Sequence, residues 1–142
     1  MKRTCFARDE CPVARSVGVV GDWWSLLIVR DAFTGKRRFG EFEKSLGVAK
    51  NILTDRLKKL VADGVLELVP AADGSAYREY ALTERGRGLL PVIVALAEWG
   101  GAGSEFKLVD RVKGKPVRLV LRSADGRRLA PEEVQLVPAP EV

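Results

Sequence analysis

The sequence predicts an α+β fold, in which a helical region is followed by a β-hairpin, one more helix and a short β-rich tail. Three features of its 142 residues support this prediction. Apolar residues recur at spacings of three and four between residues 12 and 61, as in amphipathic helices. An Asp-Gly pair at residues 73–74 lies between two strand-like runs, which is typical of a hairpin. A glycine-rich linker at residues 100–104 separates the last helix from the tail.

Two helices are expected before residue 36. Pro12 suits the first position of a helix, because its missing N–H costs nothing there, and Gly21 ends the segment. Asp22 is a good N-cap for a second helix over residues 23–33. Because that helix is rich in Trp, Leu, Ile and Val, we expect it to lie buried in the core.

Two short helices joined by a tight turn come next. Phe39, Phe42 and Leu46 recur at helical spacing, and Gly47-Val48-Ala49 then interrupts the pattern. A second amphipathic helix follows and ends at Asp63-Gly64. Its apolar positions are Ile52, Leu53, Leu57, Leu60 and Val61. Two short helices joined by a three-residue turn that begins with glycine predict a helix-turn-helix.

The hairpin is expected to pair residues 65–69 with residues 77–82. Thr83 is the expected N-cap of the following helix, whose apolar face runs to Trp99. Pro91 lies inside that helix and is expected to bend it. The order helix, helix, helix, turn, helix, hairpin, helix is that of a winged helix-turn-helix, with the hairpin as the wing.

Beyond the linker, three more strands are expected, over residues 106–112, 117–122 and 134–137. We interpret them as a small C-terminal β-subdomain. The sequence therefore divides into a winged-helix domain, residues 1–103, and a β-strand extension, residues 104–142.

Positive charge is concentrated in the predicted helix-turn-helix. The chain has a net charge of +5, and residues 36–63 alone hold eight basic and four acidic side chains. A local excess of positive charge favours a polyanionic partner, and its position on a helix-turn-helix favours double-stranded DNA.

Composition argues against an enzyme, a metal site and a membrane protein. The chain has no histidine, which removes the commonest general base and the commonest metal ligand. Its two cysteines, Cys5 and Cys11, cannot supply a four-ligand zinc site. The sequence has no apolar run long enough to span a bilayer and no signal-peptide pattern. We therefore expect a cytoplasmic protein without catalytic residues, cofactor or membrane partner.

The second helix of the helix-turn-helix carries residue types that can read DNA. In such folds the N-terminal half of this helix enters the major groove. Lys50 can donate to guanine, Asn51 can pair with adenine, and Thr54 can bond a base or touch a thymine methyl. Other residues of the region are expected to contact phosphates or to lie in a wing that contacts DNA. They are Arg37, Arg38, Arg56, Lys58, Lys59, Ser75, Tyr77 and Arg78.

Three alternatives stay open at this point. Arg56 is placed equally well for an internal ion pair. A basic helix face can be merely solvated, and a winged helix can also serve as a protein-interaction module without sequence-specific DNA recognition.

Arg37 and Arg38 have an additional argument for phosphate binding, because they precede a helix whose exposed N-terminal N–H groups add an anion site.

These motifs resemble those of the HxlR-type regulators, a family of bacterial winged-helix transcription factors related to the MarR group. The resemblance covers residues 11–100, about two thirds of the chain, in order and at the family's spacing. The matching segments are CPV at residues 11–13, GD at 21–22, WSLLI at 24–28, RFGEF at 38–42, LTDRLKKL at 53–60, GVL at 64–66, YALTERG at 80–86 and WG at 99–100.

The resemblance implies a homodimer, assembled through the first and last helices of this region, with two reading heads on a pseudo-palindromic operator. Repression is the commoner role in such families. Trp23 departs from the family pattern, because relatives often carry a basic or polar residue there. We expect Trp23 to stack in the core or in the dimer interface rather than to bind a ligand.

Two signals are compatible with such a regulator. Some members of the family are thiol switches with a cysteine at the position of Cys11, and the dipole of a helix favours a thiolate at its N-terminus. The alternative for Cys11 is a small buried hydrophobe or an N-cap packing residue at the start of the helix. A small-molecule effector, bound at the dimer interface or against the C-terminal strands, is the competing signal.

Overall fold

The computed structural model describes residues 10–101, 103 and 107–138. Its contacts divide the chain into two compact units, residues 1–93 and 94–142. The boundary between these units falls inside the last helix. The division into domains at residue 103 stays a prediction.

Four helices begin the first unit. They are α1, Pro12–Val20; α2, Ser25–Phe33; α3, Phe39–Leu46; and α4, Lys50–Ala62. Helix α2 begins two residues later than expected, so Trp24 rather than Asp22 is its N-cap residue, and Asp22 caps this end only through its side chain. The Asp22 Oδ1 atom accepts the N–H groups of Trp24 and Ser25, each at 2.9 Å. The predicted buried helix is confirmed in part, since Ile28 and Val29 are fully buried but Leu27 is partly exposed.

The helix-turn-helix is formed by α3, the turn Gly47-Val48-Ala49 and α4, as predicted. Gly47 has a φ of +63°, a left-handed conformation that glycine adopts without steric cost, and its N–H donates to the Glu43 carbonyl at 2.9 Å. Val48 is buried in the middle of the turn. The turn therefore ends α3 and directs the chain into α4.

The wing is a two-stranded antiparallel sheet of β1, Leu66–Pro70, and β2, Arg78–Leu82. Leu66 pairs with Leu82 at its base, and Pro70 pairs with Arg78 next to the loop that holds Asp73 and Gly74. The predicted hairpin is confirmed, with each strand starting one residue later than expected.

One hydrophobic core holds the winged-helix elements together. Side chains of α2, α3, α4 and β1 are fully buried in it: Ile28, Val29, Phe42, Leu53, Leu57, Leu60, Val65 and Leu66. The rings of Phe42 and Tyr80 meet edge to face with centroids 6.3 Å apart, so that the first helix of the helix-turn-helix packs on the wing. The α+β class and the winged helix-turn-helix arrangement are confirmed.

The helix expected after the wing is broken rather than bent. Helix α5 covers Glu84–Arg87 and helix α6 covers Leu90–Gly100, with Pro91 in the first turn of α6. Proline cannot donate to the carbonyl four residues earlier, and its ring crowds that carbonyl. Here that residue is Arg87, the last of α5. Thr83 caps α5 as predicted, since its Oγ1 accepts the Gly86 N–H at 3.0 Å.

The described C-terminal residues, 107–138, form two isolated β-bridges and one short 3-10 turn. The bridges join Val109 to Pro116 and Arg122 to Arg128. The strands expected over residues 117–122 and 134–137 are not extended ladders, and part of the segment 106–112 lies outside the described residues. Valine and leucine favour an extended backbone, but a strand also needs a neighbour: the Leu119 N–H donates to the Glu98 side chain at 2.7 Å instead.

None of the helices in the described part of the chain is both long and apolar enough to cross a membrane.

Candidate nucleic-acid interface

Helix α4 has a buried face and an opposite polar face. Leu53, Leu57 and Leu60 are completely buried, and they anchor the helix in the core. Three residues expected to contact DNA, Lys50, Asn51 and Lys58, are exposed, and Thr54 is half-buried. The core therefore fixes the orientation of α4 and leaves a polar surface that starts at its first turn.

The hydroxyl of Thr54 has an intrahelical partner. Its Oγ1 donates to the Lys50 carbonyl at 2.8 Å. This bond uses the hydroxyl hydrogen and leaves the oxygen lone pairs and the methyl group. Thr54 is thus better suited to touching a thymine methyl or accepting a hydrogen bond than to donating one.

Arg56 lies in the internal ion pair that the sequence analysis left as its alternative. Its Nε donates to Asp22 Oδ1 at 3.1 Å, and both side chains are mostly buried. Burial alone would raise the pKa of Asp22, but hydrogen bonds from Ser25 and Trp24 and the charge of Arg56 outweigh it and lower that pKa below its usual value. Arg56 therefore joins α4 to the loop before α2, and its expected phosphate contact stays a prediction.

Lys59 also has an intramolecular role that the sequence analysis did not foresee. Its ammonium donates to the carbonyls of Gly18 and Val19 at 2.8 and 2.7 Å, and lies 3.5 Å from Asp63. These carbonyls belong to the last turn of α1, where a cation satisfies unpaired carbonyls and the helix dipole. Lys59 is a C-terminal cap for α1, and its expected phosphate contact stays a prediction.

Arg37 and Arg38 are bound to the wing through Glu79, a residue that sequence reasoning missed. Arg37 Nε and Arg38 Nε each lie 3.3 Å from a carboxylate oxygen of Glu79, which is only 6% exposed. The Ala72 N–H donates to Glu79 Oε1 at 3.0 Å. That bond and the two guanidinium groups outweigh burial and hold the pKa of Glu79 below its usual value. The only sequence signal was an acidic residue at an alternating position of a predicted strand.

Arg38 also reaches the tip of the wing. Its Nη2 lies 2.6 Å from Asp73 Oδ2, and its guanidinium carbon lies 5.6 Å from the centre of the Tyr77 ring. Ser75 and Arg78 are exposed on the same hairpin, and the Ser75 N–H donates to Asp73 Oδ1 at 2.9 Å. The fold thus brings Arg38 together with wing residues more than thirty positions away in sequence.

The N-terminus of α3 is partly occupied. Glu41 Oε1 accepts the N–H groups of Arg37 and Arg38 at 3.2 and 3.0 Å. The expected anion site at this helix end is therefore reduced, because a side-chain carboxylate already takes two backbone donors that precede the helix.

Cys11 and Trp23 lie on the surface of the described chain. Cys11 is the N-cap residue of α1, as one alternative had it, but it is exposed in the single chain and is not a buried hydrophobe. Trp23 is 87% exposed, which excludes stacking in the core of one chain.

Comparisons with known proteins agree with this architecture. The model of the HxlR-like helix-turn-helix family matches residues 19–107. An uncharacterised HTH-type transcriptional regulator of Mycobacterium tuberculosis, Rv3095, is 40% identical over 107 residues, which are 75% of this chain and 65% of that protein. The chain therefore spans slightly less than two thirds of this relative. YdeP of Bacillus subtilis, another HTH-type regulator, is 35% identical over 65% of this chain and 73% of its own.

Solved structures give the same assignment. PA1607, a candidate transcription factor, is 51% identical with a TM-score of 0.82, over 94% of this chain and 98% of its own. PA1374 of Pseudomonas aeruginosa, another candidate transcription factor, is 40% identical with a TM-score of 0.61, over 93% and 94%. The redox regulator HypR in its reduced form is 31% identical with a TM-score of 0.57, over 63% and 90%. The family and these relatives are transcription regulators and not enzymes. Because the chain folds as a winged helix-turn-helix and the family model matches most of its residues, the chain belongs to the HxlR-like helix-turn-helix family.

Proposed function

We propose that the chain is a sequence-specific DNA-binding transcriptional regulator whose α4 reads bases in the major groove. The observation that carries this proposal is the division of α4 into a fully buried leucine face and an exposed face with Lys50, Asn51 and Lys58. Lys50 and Asn51 lie in the first turn, the part of a recognition helix that meets base edges. Thr54 completes the base-reading set through its methyl group and oxygen.

The phosphate contacts that we propose are fewer than those expected from the sequence. Lys58 on α4, and Ser75, Tyr77 and Arg78 on the wing, are exposed and available to the DNA backbone. Arg37 and Arg38 are 43% and 37% exposed at their side chains while they bind Glu79, so both can contact a phosphate with the rest of the guanidinium. Arg56 and Lys59 support the position of α4 instead.

We further propose that the regulator is a homodimer that represses from a pseudo-palindromic operator, in the bacterial cytoplasm. Helix α1 exposes Val13 and Val17, and helix α6 exposes Leu96 and Trp99, the last at 90%. A chain gains little from apolar side chains held in water, whereas a second copy would cover them. An isologous dimer would present two α4 helices to two half-sites.

Selection of bound sequences from a random duplex pool tests this function. We expect a two-fold symmetric motif with half-sites about one helical turn apart. Lys50→Glu with Lys58→Glu should abolish duplex binding, whereas Arg118→Glu, an exposed site in the C-terminal unit, should leave it unchanged. Unchanged affinity of the α4 variant would instead favour the alternative, a winged helix that binds protein without reading DNA.

For the signal, we propose modification of the exposed thiol of Cys11. HypR, a similar protein, is described as a redox regulator and has been solved in reduced and oxidised forms. Treatment with benzoquinone, which forms a thioether when a thiolate adds to its ring, should weaken operator binding by the native chain and not by Cys11→Ser. An equal response of both proteins would rule out Cys11.

A small effector is the competing signal. A cavity of about 220 Å³ lies between α1 and the region of α5, lined by Val19, Val65, Arg85 and Leu89 among others. This volume is at the small end for a ligand pocket. An apolar blocking substitution there, Val19→Phe, should leave the response to benzoquinone intact if Cys11 is the sensor.

A further inference from the structure

Arg38 stands at the centre of a charged cluster at the tip of the wing, which we call the wing-tip cluster: Arg38, Asp73, Tyr77 and Glu79. Its guanidinium has two carboxylate partners. Nε lies 3.3 Å from Glu79, and Nη2 lies 2.6 Å from Asp73. The ring of Tyr77 lies beside the same guanidinium, with its centre 5.6 Å from the central carbon.

The two carboxylates differ in how easily they can be displaced. The side chain of Glu79 is only 9% exposed and also accepts the Ala72 N–H, so it is part of the fold. The side chain of Asp73 is 57% exposed and belongs to the loop between the strands. Its Oδ1 holds the Ser75 N–H at 2.9 Å, while Oδ2 alone faces Arg38. Asp73 can therefore release Arg38 and keep its turn.

We infer that Asp73 occupies the place at Arg38 that a DNA phosphate takes in the complex, and thereby lowers the affinity of the wing for DNA. The inference rests on the proposed function, in which the wing contacts the DNA backbone. A carboxylate and a phosphate offer the same kind of charged oxygen to a guanidinium, and both bind arginine strongly. Binding then exchanges one anion for another at Arg38 instead of adding a new ion pair.

This exchange makes Asp73 a residue that sets how tightly the wing binds any duplex. Phosphate contacts contribute equally on every sequence, so weakening one lowers specific and nonspecific affinity by the same factor. Asp73 is charged at neutral pH, as any exposed aspartate is, and hydrogen bonds from Ser75 and Arg38 lower its pKa further, to about 2. Once displaced, its carboxylate would lie close to the DNA backbone and repel it.

Asp73→Asn tests this inference with little disturbance of the loop. The amide oxygen can still accept the Ser75 N–H, while an uncharged amide nitrogen replaces the oxygen that faces Arg38. On a mixed-sequence duplex at low salt we expect affinity to rise about two- to fivefold, the range of one exposed ion pair. The slope of log affinity against log salt should change by less than about 0.9, the value for a whole phosphate contact, because Arg38 contacts the phosphate in both chains.

Two comparisons separate this exchange from a general effect of charge. Glu67→Gln removes the same charge from an exposed site on β1 and should raise affinity by less than half as much. In an Arg38→Gln background, Asp73→Asn should raise affinity no more than Glu67→Gln does. An equal gain from Glu67→Gln, or a full gain without Arg38, would overturn the inference.

The comparison between Asp73→Asn and Glu67→Gln still decides the question if Arg38→Gln does not fold, a point that thermal unfolding checks. Failure of the wild-type chain to bind any duplex would overturn the proposed function, and this inference with it. If the wild type binds and Asp73→Asn binds identically, only the inference fails.

Discussion

Asp22 accepts a hydrogen bond from Nε of Arg56 at 3.1 Å, and this ion pair joins the loop before α2 to the flank of α4. The same Asp22 carboxylate accepts the first N–H groups of α2 and the hydroxyl of Ser25. One side chain therefore caps a core helix and holds the candidate recognition helix. Lys59, one turn further along α4, binds the end of α1 in the same way.

Arg56→Ala should reduce stability rather than act through a lost DNA contact. It leaves a mostly buried carboxylate without its cation, and loss of a hydrogen bond to a charged group costs about 1.5–3 kcal/mol. Urea unfolding measures this change. The exposed Arg78→Ala is the matched control and should stay within about 0.5 kcal/mol of wild type. Equal stability of the two variants would contradict a structural role for Arg56.

Gly86→Ala should destabilise the chain, whereas Gly40→Ala should not. A Cβ on Gly86 would lie 2.1 Å from the Val65 carbonyl oxygen, so the backbone would have to shift, at a cost of about 1–3 kcal/mol. A Cβ on Gly40 in α3 meets no atom within 4 Å, and alanine is up to about 1 kcal/mol better than glycine in a helix. The melting temperature should fall for Gly86→Ala and rise for Gly40→Ala. A lower melting temperature in both variants would contradict this interpretation of the packing.

Acid should destabilise the winged-helix unit through Glu79 and Asp22. Both pKa values lie below their usual 4.5 and 3.8. The unfolded chain therefore takes up protons first, so stability is complete above about pH 5 and falls as the pH drops through the folded values. Glu79→Gln should be less stable at pH 7 and show a shallower loss between pH 7 and 3. Urea midpoints of both proteins, measured across this pH range, test the prediction. If the midpoint of Glu79→Gln lay below that of wild type by the same amount at every pH, Glu79 would contribute nothing to the loss of stability in acid.

Asn51→Ala and Lys58→Ala should affect DNA binding in different ways. Loss of a bidentate base contact costs about 1–3 kcal/mol at one base pair, so Asn51→Ala should relax sequence preference there. Loss of a phosphate contact weakens every sequence alike, so Lys58→Ala should lower the salt slope by about 0.9 and leave the preferred motif unchanged. Competition binding with single-base variants of the selected operator distinguishes them. A uniform loss from Asn51→Ala would remove it from the base-reading set.

Much of the architecture could be predicted because it depends on local chemistry. The apolar spacing of Leu53, Leu57 and Leu60 defines the buried face of α4, and a glycine at residue 47 supplies the left-handed turn before it. Thr83 caps α5 by accepting the N–H of Gly86, which is only three residues away in sequence. The C-terminal strands were predicted from the same kind of local pattern and were wrong, because a ladder also requires a partner that no local pattern specifies.

The sequence by itself therefore determined the winged helix-turn-helix and the exposed residues at the start of α4. Only the tertiary structure decided which of the neighbouring cations have intramolecular partners. Arg56 finds its carboxylate 34 residues earlier, Lys59 its carbonyls 40 and 41 residues earlier, and Arg38 its wing-tip partner 35 residues later. The physical reason is that an ion pair depends on which side chains the core brings together, and a list of charges along the chain does not contain those distances.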